Sequence, residues 1–148
     1  MKKLFWLLSL LSLSPAVWAD VWINPGFYSY HLQRDQDLNS ANTGLGVEAS
    51  LTSDYSFTAG FFKNSVRDTS HYVGVYAMPF SFGGFKAGAA LGAFDGYPLM
   101  NKGGWFPAIV PTMELEGRQF GLNISFIPTI GDRLHGAVTF QVKYKLSP

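Results

Sequence analysis

The sequence predicts an all-β protein, an eight-stranded antiparallel up-and-down transmembrane β-barrel, and three observations predict it. Apolar and polar residues alternate in segments of roughly ten that recur along the chain, the two-residue period of barrel strands. The composition joins 16 glycines and 16% aromatic residues to only 14% charged residues, well below the roughly 25% of an ordinary water-soluble domain. The N-terminus reads as an export signal: Lys2 and Lys3, the apolar run Leu4 to Leu13, then the small-residue site Val17-Trp18-Ala19. Residues 1–19 are therefore expected to be removed, leaving 20–148 as the barrel domain. The apolar run is shorter than the roughly 20 residues a membrane helix needs, and no such run occurs later, which excludes a helical membrane protein.

The strands follow from the alternation, taken in chain order. Around Phe27 to Gln33, Tyr28, Tyr30 and Leu32 share one face and Ser29, His31 and Gln33 the other. From Gly44 to Leu51 the apolar face is Leu45, Val47, Ala49 and Leu51; from Tyr55 to Asn64 it is Tyr55, Phe57, Ala59 and Phe61. The segment from His71 to Phe80 carries Val, Tyr, Gly or Ala on both faces and is a strand by spacing alone. Phe85 to Ala93, Ile109 to Glu116, Phe120 to Phe126 and Val138 to Leu146 complete the eight. A lipocalin-like soluble barrel would turn its apolar face inward. Here the opposite face is Ser, Thr, Gly, Asn and Gln with a few Glu and Lys, which suits a lumen, and the apolar face is assigned to lipid.

Turn chemistry sets the order. Ser53-Asp54, Gly83-Gly84 and Glu116-Gly117-Arg118 are short links, and they alternate with longer ones at Asp35 to Thr43, Val66 to Ser70, Asp95 to Gly104 and Gly131 to His135. In outer-membrane barrels short turns face the periplasm and long loops the exterior, so the first strand runs outward and the outer membrane is the expected location. His31 and Asn64-Ser65 then lie near the outer rim.

The chemistry available is limited. Zero cysteines remove disulfides and thiolate metal sites. Without Lys2 and Lys3, nine basic residues face ten acidic ones, so no nucleic-acid footprint is present. No nucleophile elbow, phosphate loop or metal-ligand cluster occurs, and neither a metal nor a cofactor is expected. Glu48, Glu114 and Glu116, with Lys86, Lys143 and Lys145, read as a structural ion-pair network in the lumen. His31, His71 and His135 all fall near outer strand ends.

Two stretches carry a resemblance. Phe106-Pro107-Ala108-Ile109-Val110-Pro111, followed after Glu116-Gly117 by Phe120 to Pro128, resembles the proline-bearing hairpin of the lipid A palmitoyltransferase (PagP-like) family. Phe62-Lys63-Asn64-Ser65 is similar to that family's Phe-Lys-Asp-Ser stretch, Gly44-Leu45-Gly46 to its glycine-rich second strand, and His31 stands where its essential histidine does. The resemblance implies an acyltransferase that moves a palmitoyl chain from a glycerophospholipid donor onto lipid A, acting as a monomer in the outer membrane. It implies His31, Asn64 and Ser65 as the catalytic set, and Pro111 and Pro128 as a lateral substrate gate. A proline lacks the N–H that a ladder needs, which gives the gate a physical basis. Asn64 stands in place of the family's Asp, leaving it orientation or oxyanion contact. An ungapped reading from Ser65 puts Tyr76 at the family's chain-length glycine, with Gly74 two residues earlier. A non-catalytic surface barrel for adhesion or envelope integrity, and a lipid A deacylase, are the alternative functions; no His-x-Ser pair on one strand favours the deacylase.

Overall fold

The computed structural model describes residues 20–146; the export signal at 1–19 lies outside them. Eight strands run in chain order: β1 Val21–His31, β2 Ala41–Ser50, β3 Tyr55–Lys63, β4 Thr69–Phe82, β5 Phe85–Phe94, β6 Phe106–Glu116, β7 Phe120–Ile127 and β8 Ala137–Lys145. Each pairs antiparallel with the next, and β1 pairs with β8, closing the barrel. Closure removes the free edges of an open sheet, apart from the stretch of β6 before Thr112, which pairs with β5 alone. Links of two to four residues alternate with longer ones, as the turn residues predict.

The side chains are sorted as the alternation requires. Outward positions are apolar and exposed, among them Leu45, Val47, Phe57, Phe61, Ile109, Phe126 and Val142. Inward positions include buried Asn24, Ser29, Asn42, Glu48, Ser56, Thr58, Thr112, Glu114, Asn123, Thr139 and Lys143. A polar interior inside an apolar coat is the reverse of a protein folded in water.

Two register shifts mark where β1 and β4 depart from the alternation. β1 begins at Val21 rather than Phe27 because its register shifts between Asn24 and Gly26, at Pro25. Against β8, β1 holds one extra residue between Ile23 and Tyr28, which flips the parity, so Trp22 and Asn24 face inward on even numbers while Ser29 and His31 face inward on odd ones. Gly26 is required there: its φ is +98°, and a Cβ would strike the Asn42 carbonyl. A second shift lies between Ala77 and Phe80 on β4. β4 lacks a clear apolar face because its inward row holds Tyr72, Gly74, Tyr76 and Met78, which fill the lumen beside the polar groups. Tyr72 reaches across to β2 and β3, where a Cβ on Gly46 or Gly60 would collide with its hydroxyl. That contact explains Gly46, whereas a Cβ on Gly44 would strike the Phe61 carbonyl of β3.

The lumen has two layers. Toward the short turns, Lys143 Nζ lies 3.0 Å from Glu48 Oε1, 3.1 Å from Glu114 Oε2 and 2.7 Å from Glu116 Oε1. Ser56 and Asn123 also bond to Glu48, at 3.0 and 3.3 Å, and the Trp22 ring lies 4.7 Å from the ammonium. The expected network is thus built on Lys143 alone among the three lysines. Lys86 bonds instead to the Ser53 carbonyl and Lys145 to Asp20, because both sit at the turn end where the chain's own termini and loops offer acceptors. The three carboxylates converge on an ammonium, which occupies the place a metal cation would take. Toward the long loops the lumen becomes aromatic: Phe27, Phe62, Tyr72, Phe94 and Phe106 follow one another around the wall, with successive ring centroids 4.7 to 6.2 Å apart among Phe27–Phe62, Phe62–Tyr72, Tyr72–Phe94 and Phe94–Phe106.

Candidate active site at the loop end of the lumen

His31 closes β1 and Ser65 is the second residue of the β3–β4 loop, and the structure brings them together: His31 Nε2 is 3.1 Å from Ser65 Oγ. The other ring nitrogen, Nδ1, is 3.5 Å from Ser40 Oγ. The ring is buried. Beneath it Ser29 donates to Asn42 Oδ1, and Asn42 Nδ2 donates to the Lys63 carbonyl at 2.8 Å, tying β1, β2 and the end of β3 into one frame. Two hydroxyls on one imidazole set the ring plane, a condition for a histidine that is to move protons.

Asn64 is fully buried but does not join His31. Its Nδ2 donates to Ser70 Oγ at 2.9 Å and to the Gly96 carbonyl at 2.8 Å, while Oδ1 accepts from the backbone N–H groups of Val66 and Asp68 at 3.1 and 3.0 Å. Its oxygen is committed to the β3–β4 loop and its nitrogen to β4 and the β5–β6 loop, so its work is to tie the two loops together and thereby hold the adjacent Ser65. An aspartate at this position would lose both donated bonds. His71, also near an outer strand end, points outward with an exposed side chain and pairs with Asp95 at 3.1 Å; it does not reach the lumen.

The prolines sit where the sheet opens. β6 and β7 pair from Glu116↔Gly121 to Thr112↔Ser125 and no further. Pro111 is the next residue of β6, and Pro128 follows the last residue of β7. The stretch from Phe106 to Pro111 keeps its ladder to β5 only. Behind the opening is a cavity of about 320 Å³ lined by Phe27, Phe62, Phe94, Phe106, Val110 and Ile127, with Pro107 and Pro128 at its side and Ser65 at its mouth. A smaller space of about 80 Å³ continues from the same aromatic wall to Gly74, Tyr76 and Asn123, next to the Lys143 network. The result is an apolar channel open to the side of the barrel, capped by a polar mouth and floored by charge.

Two further residues stand at the mouth: Tyr97, which the sequence pattern misses, and His135, which it places near an outer strand end. Tyr97, in the loop between β5 and β6, lines the cavity together with Ser65; burial pushes its phenol well above the ordinary range, so it stays a donor. His135, just before β8, lines the same cavity and its Nδ1 is 2.7 Å from Gln33 Oε1. Neither Tyr97 nor Gln33 lies in a motif, and His135 meets Gln33 only because β8 closes onto β1.

The class that fold and site define is a closed eight-stranded β-barrel with a laterally interrupted wall and an apolar cavity that reaches the serine of a His–Ser pair. No protein-family model and no curated protein sequence matches the chain.

Proposed function

We propose that this barrel is an outer-membrane acyltransferase that moves an acyl chain, palmitate by expectation, from a glycerophospholipid to lipid A. The observation that carries the reading is the apolar cavity that joins the interrupted β6–β7 wall to Ser65, whose hydroxyl meets His31 at 3.1 Å from a neighbouring polar pocket lined by His31, Gln33 and Ser40. The setting supports it: the exterior is an apolar band edged by Tyr28, Tyr30 and Trp105 at the loop end and by Tyr55, Phe82, Phe120 and Tyr144 at the turn end, the paired aromatic girdles of a membrane barrel. Unpaired backbone at membrane depth is tolerated where it borders a cavity.

In this reading the donor chain enters between β6 and β7 and lies along the aromatic wall, which leaves its ester at the mouth. His31 takes the proton of the incoming hydroxyl, with Ser65 in its hydrogen-bond relay, and the protonated Tyr97 phenol is a donor for the oxyanion that develops on the ester carbonyl. Asn64 keeps Ser65 in place through the loop. Mass spectra of lipid A from cells with and without the protein test the reading: a gain of one acyl chain supports it, whereas a loss indicates a deacylase and an unchanged spectrum from a folded barrel a non-catalytic surface protein.

Two consequences concern the cavity. Val110→Cys with Ile127→Cys continues the β6–β7 register one inward step above its last pairs; the oxidised form should lose most transfer and regain it on reduction. Equal rates in both forms would leave the prolines a purely structural role. Tyr76→Ala deepens the floor and should shift transfer toward longer chains, read as the masses added when a mixture of donor chain lengths is supplied; an unchanged distribution would place the floor elsewhere.

A further inference from the structure

The proposed transfer needs two proton movements at different oxygens, and the His31–Ser65 pair accounts for one. We propose that His135, held by Gln33, is the general acid that protonates the departing glycerol oxygen. The inference rests on the acyltransferase reading and extends it to a residue outside the resemblance.

Its geometry is that of an oriented acid. His135 Nδ1–H donates to Gln33 Oε1 across 2.7 Å, which fixes the ring and leaves Nε2 as the ring atom for a ligand. His135 also stands at a junction. Besides the acyl cavity, a second cavity of about 240 Å³ lies under the long loops, reaching Leu99 and Arg133. The two cavities share three residues, Ser65, Tyr97 and His135. A transferase must bring donor and acceptor to one point from two spaces, and these three side chains are the point where the spaces meet.

The step balances as follows. The acceptor oxygen forms a bond to the acyl carbon and its proton passes to His31. The bond from the acyl carbon to the glycerol oxygen breaks, its electron pair stays on that oxygen, and the Nε2 proton of His135 caps it. Exchange of one proton with water at each ring resets the pair.

A leaving group that needs no proton separates this role from a structural one. The purified barrel is assayed with two acyl donors, a phosphatidylcholine and a p-nitrophenyl ester of the same fatty acid, with lipid A as acceptor. His135→Ala should lose about 10²-fold or more with the phospholipid and far less with the aryl ester, whose phenolate departs unprotonated. His31→Ala should lose equally with both. Gln33→Leu should show the His135 pattern more weakly. If His135→Ala fails to give the mobility shift of a folded barrel, His135→Gln serves, since glutamine can hydrogen-bond but carry no proton. Equal losses with both donors, or a wild-type rate for the folded variant, would overturn the assignment of His135 alone. A wild-type protein inactive with the phospholipid would overturn the acyltransferase reading itself.

Discussion

Replacing His31 with alanine is expected to lower acyl transfer by about 10² to 10⁴-fold, the usual cost of losing a positioned general base, while the barrel still shows its mobility shift on an unboiled gel. The reason is local. His31 is the one imidazole whose Nε2 meets a hydroxyl at the cavity mouth, and Ser40 holds its far side. Ser65→Ala should fall by a similar factor, and the double variant should be little worse than either single one, because residues that act as a unit are not additive. Additive losses would mean that the 3.1 Å contact has no part in the reaction. The rates are measured as labelled acyl chains appearing on lipid A.

The second large effect falls on stability rather than turnover. Lys143→Ala would leave Glu48 and Glu114 buried and facing Glu116 with no cation between them. Removing one partner of a buried ion pair costs about 3 to 5 kcal/mol, and three carboxylates on one ammonium put this case toward the upper end. The midpoint of urea unfolding in detergent should fall accordingly. Lys143→Met combined with Glu48→Gln, Glu114→Gln and Glu116→Gln removes the charges together and should recover most of the loss, since an apolar or neutral replacement of a whole buried network is often well tolerated. If the single variant unfolds at the wild-type midpoint, the network contributes no stability and its burial needs another explanation.

How much of this was legible in the sequence depends on how local the signal is. Strand identity, order and facing followed from a period of two, and the closed eight-stranded barrel carries them. Strand limits were lost at Pro25-Gly26 and near Met78-Pro79, where one inserted residue reverses the parity on which the reading depends. β4 lacked a clear face because Tyr72 and Tyr76 serve as lumen packing, and a buried tyrosine looks in sequence like a lipid-facing one. At the site, His31 and Ser65 were legible as polar residues at the ends of β1 and β3, 34 positions apart. The role of Asn64 was not, because its partners Ser70 and Gly96 are set by the fold of two loops. The Gln33–His135 contact spans 102 positions and exists only through barrel closure. The position of Pro111 was readable from proline chemistry, yet the extent of the unpaired β6 segment came from the register, which ends at Thr112↔Ser125.

The central claim is that one acyl chain leaves a phospholipid and arrives on lipid A at this barrel. The most direct measurement supplies the purified protein in detergent with a phospholipid carrying one isotopically labelled chain, together with lipid A, and follows both products by mass spectrometry. The account predicts labelled lipid A and lysophospholipid in equal amounts, both absent with His31→Ala. Labelled free fatty acid with unmodified lipid A, or no change in either lipid from a folded wild-type barrel, would contradict it.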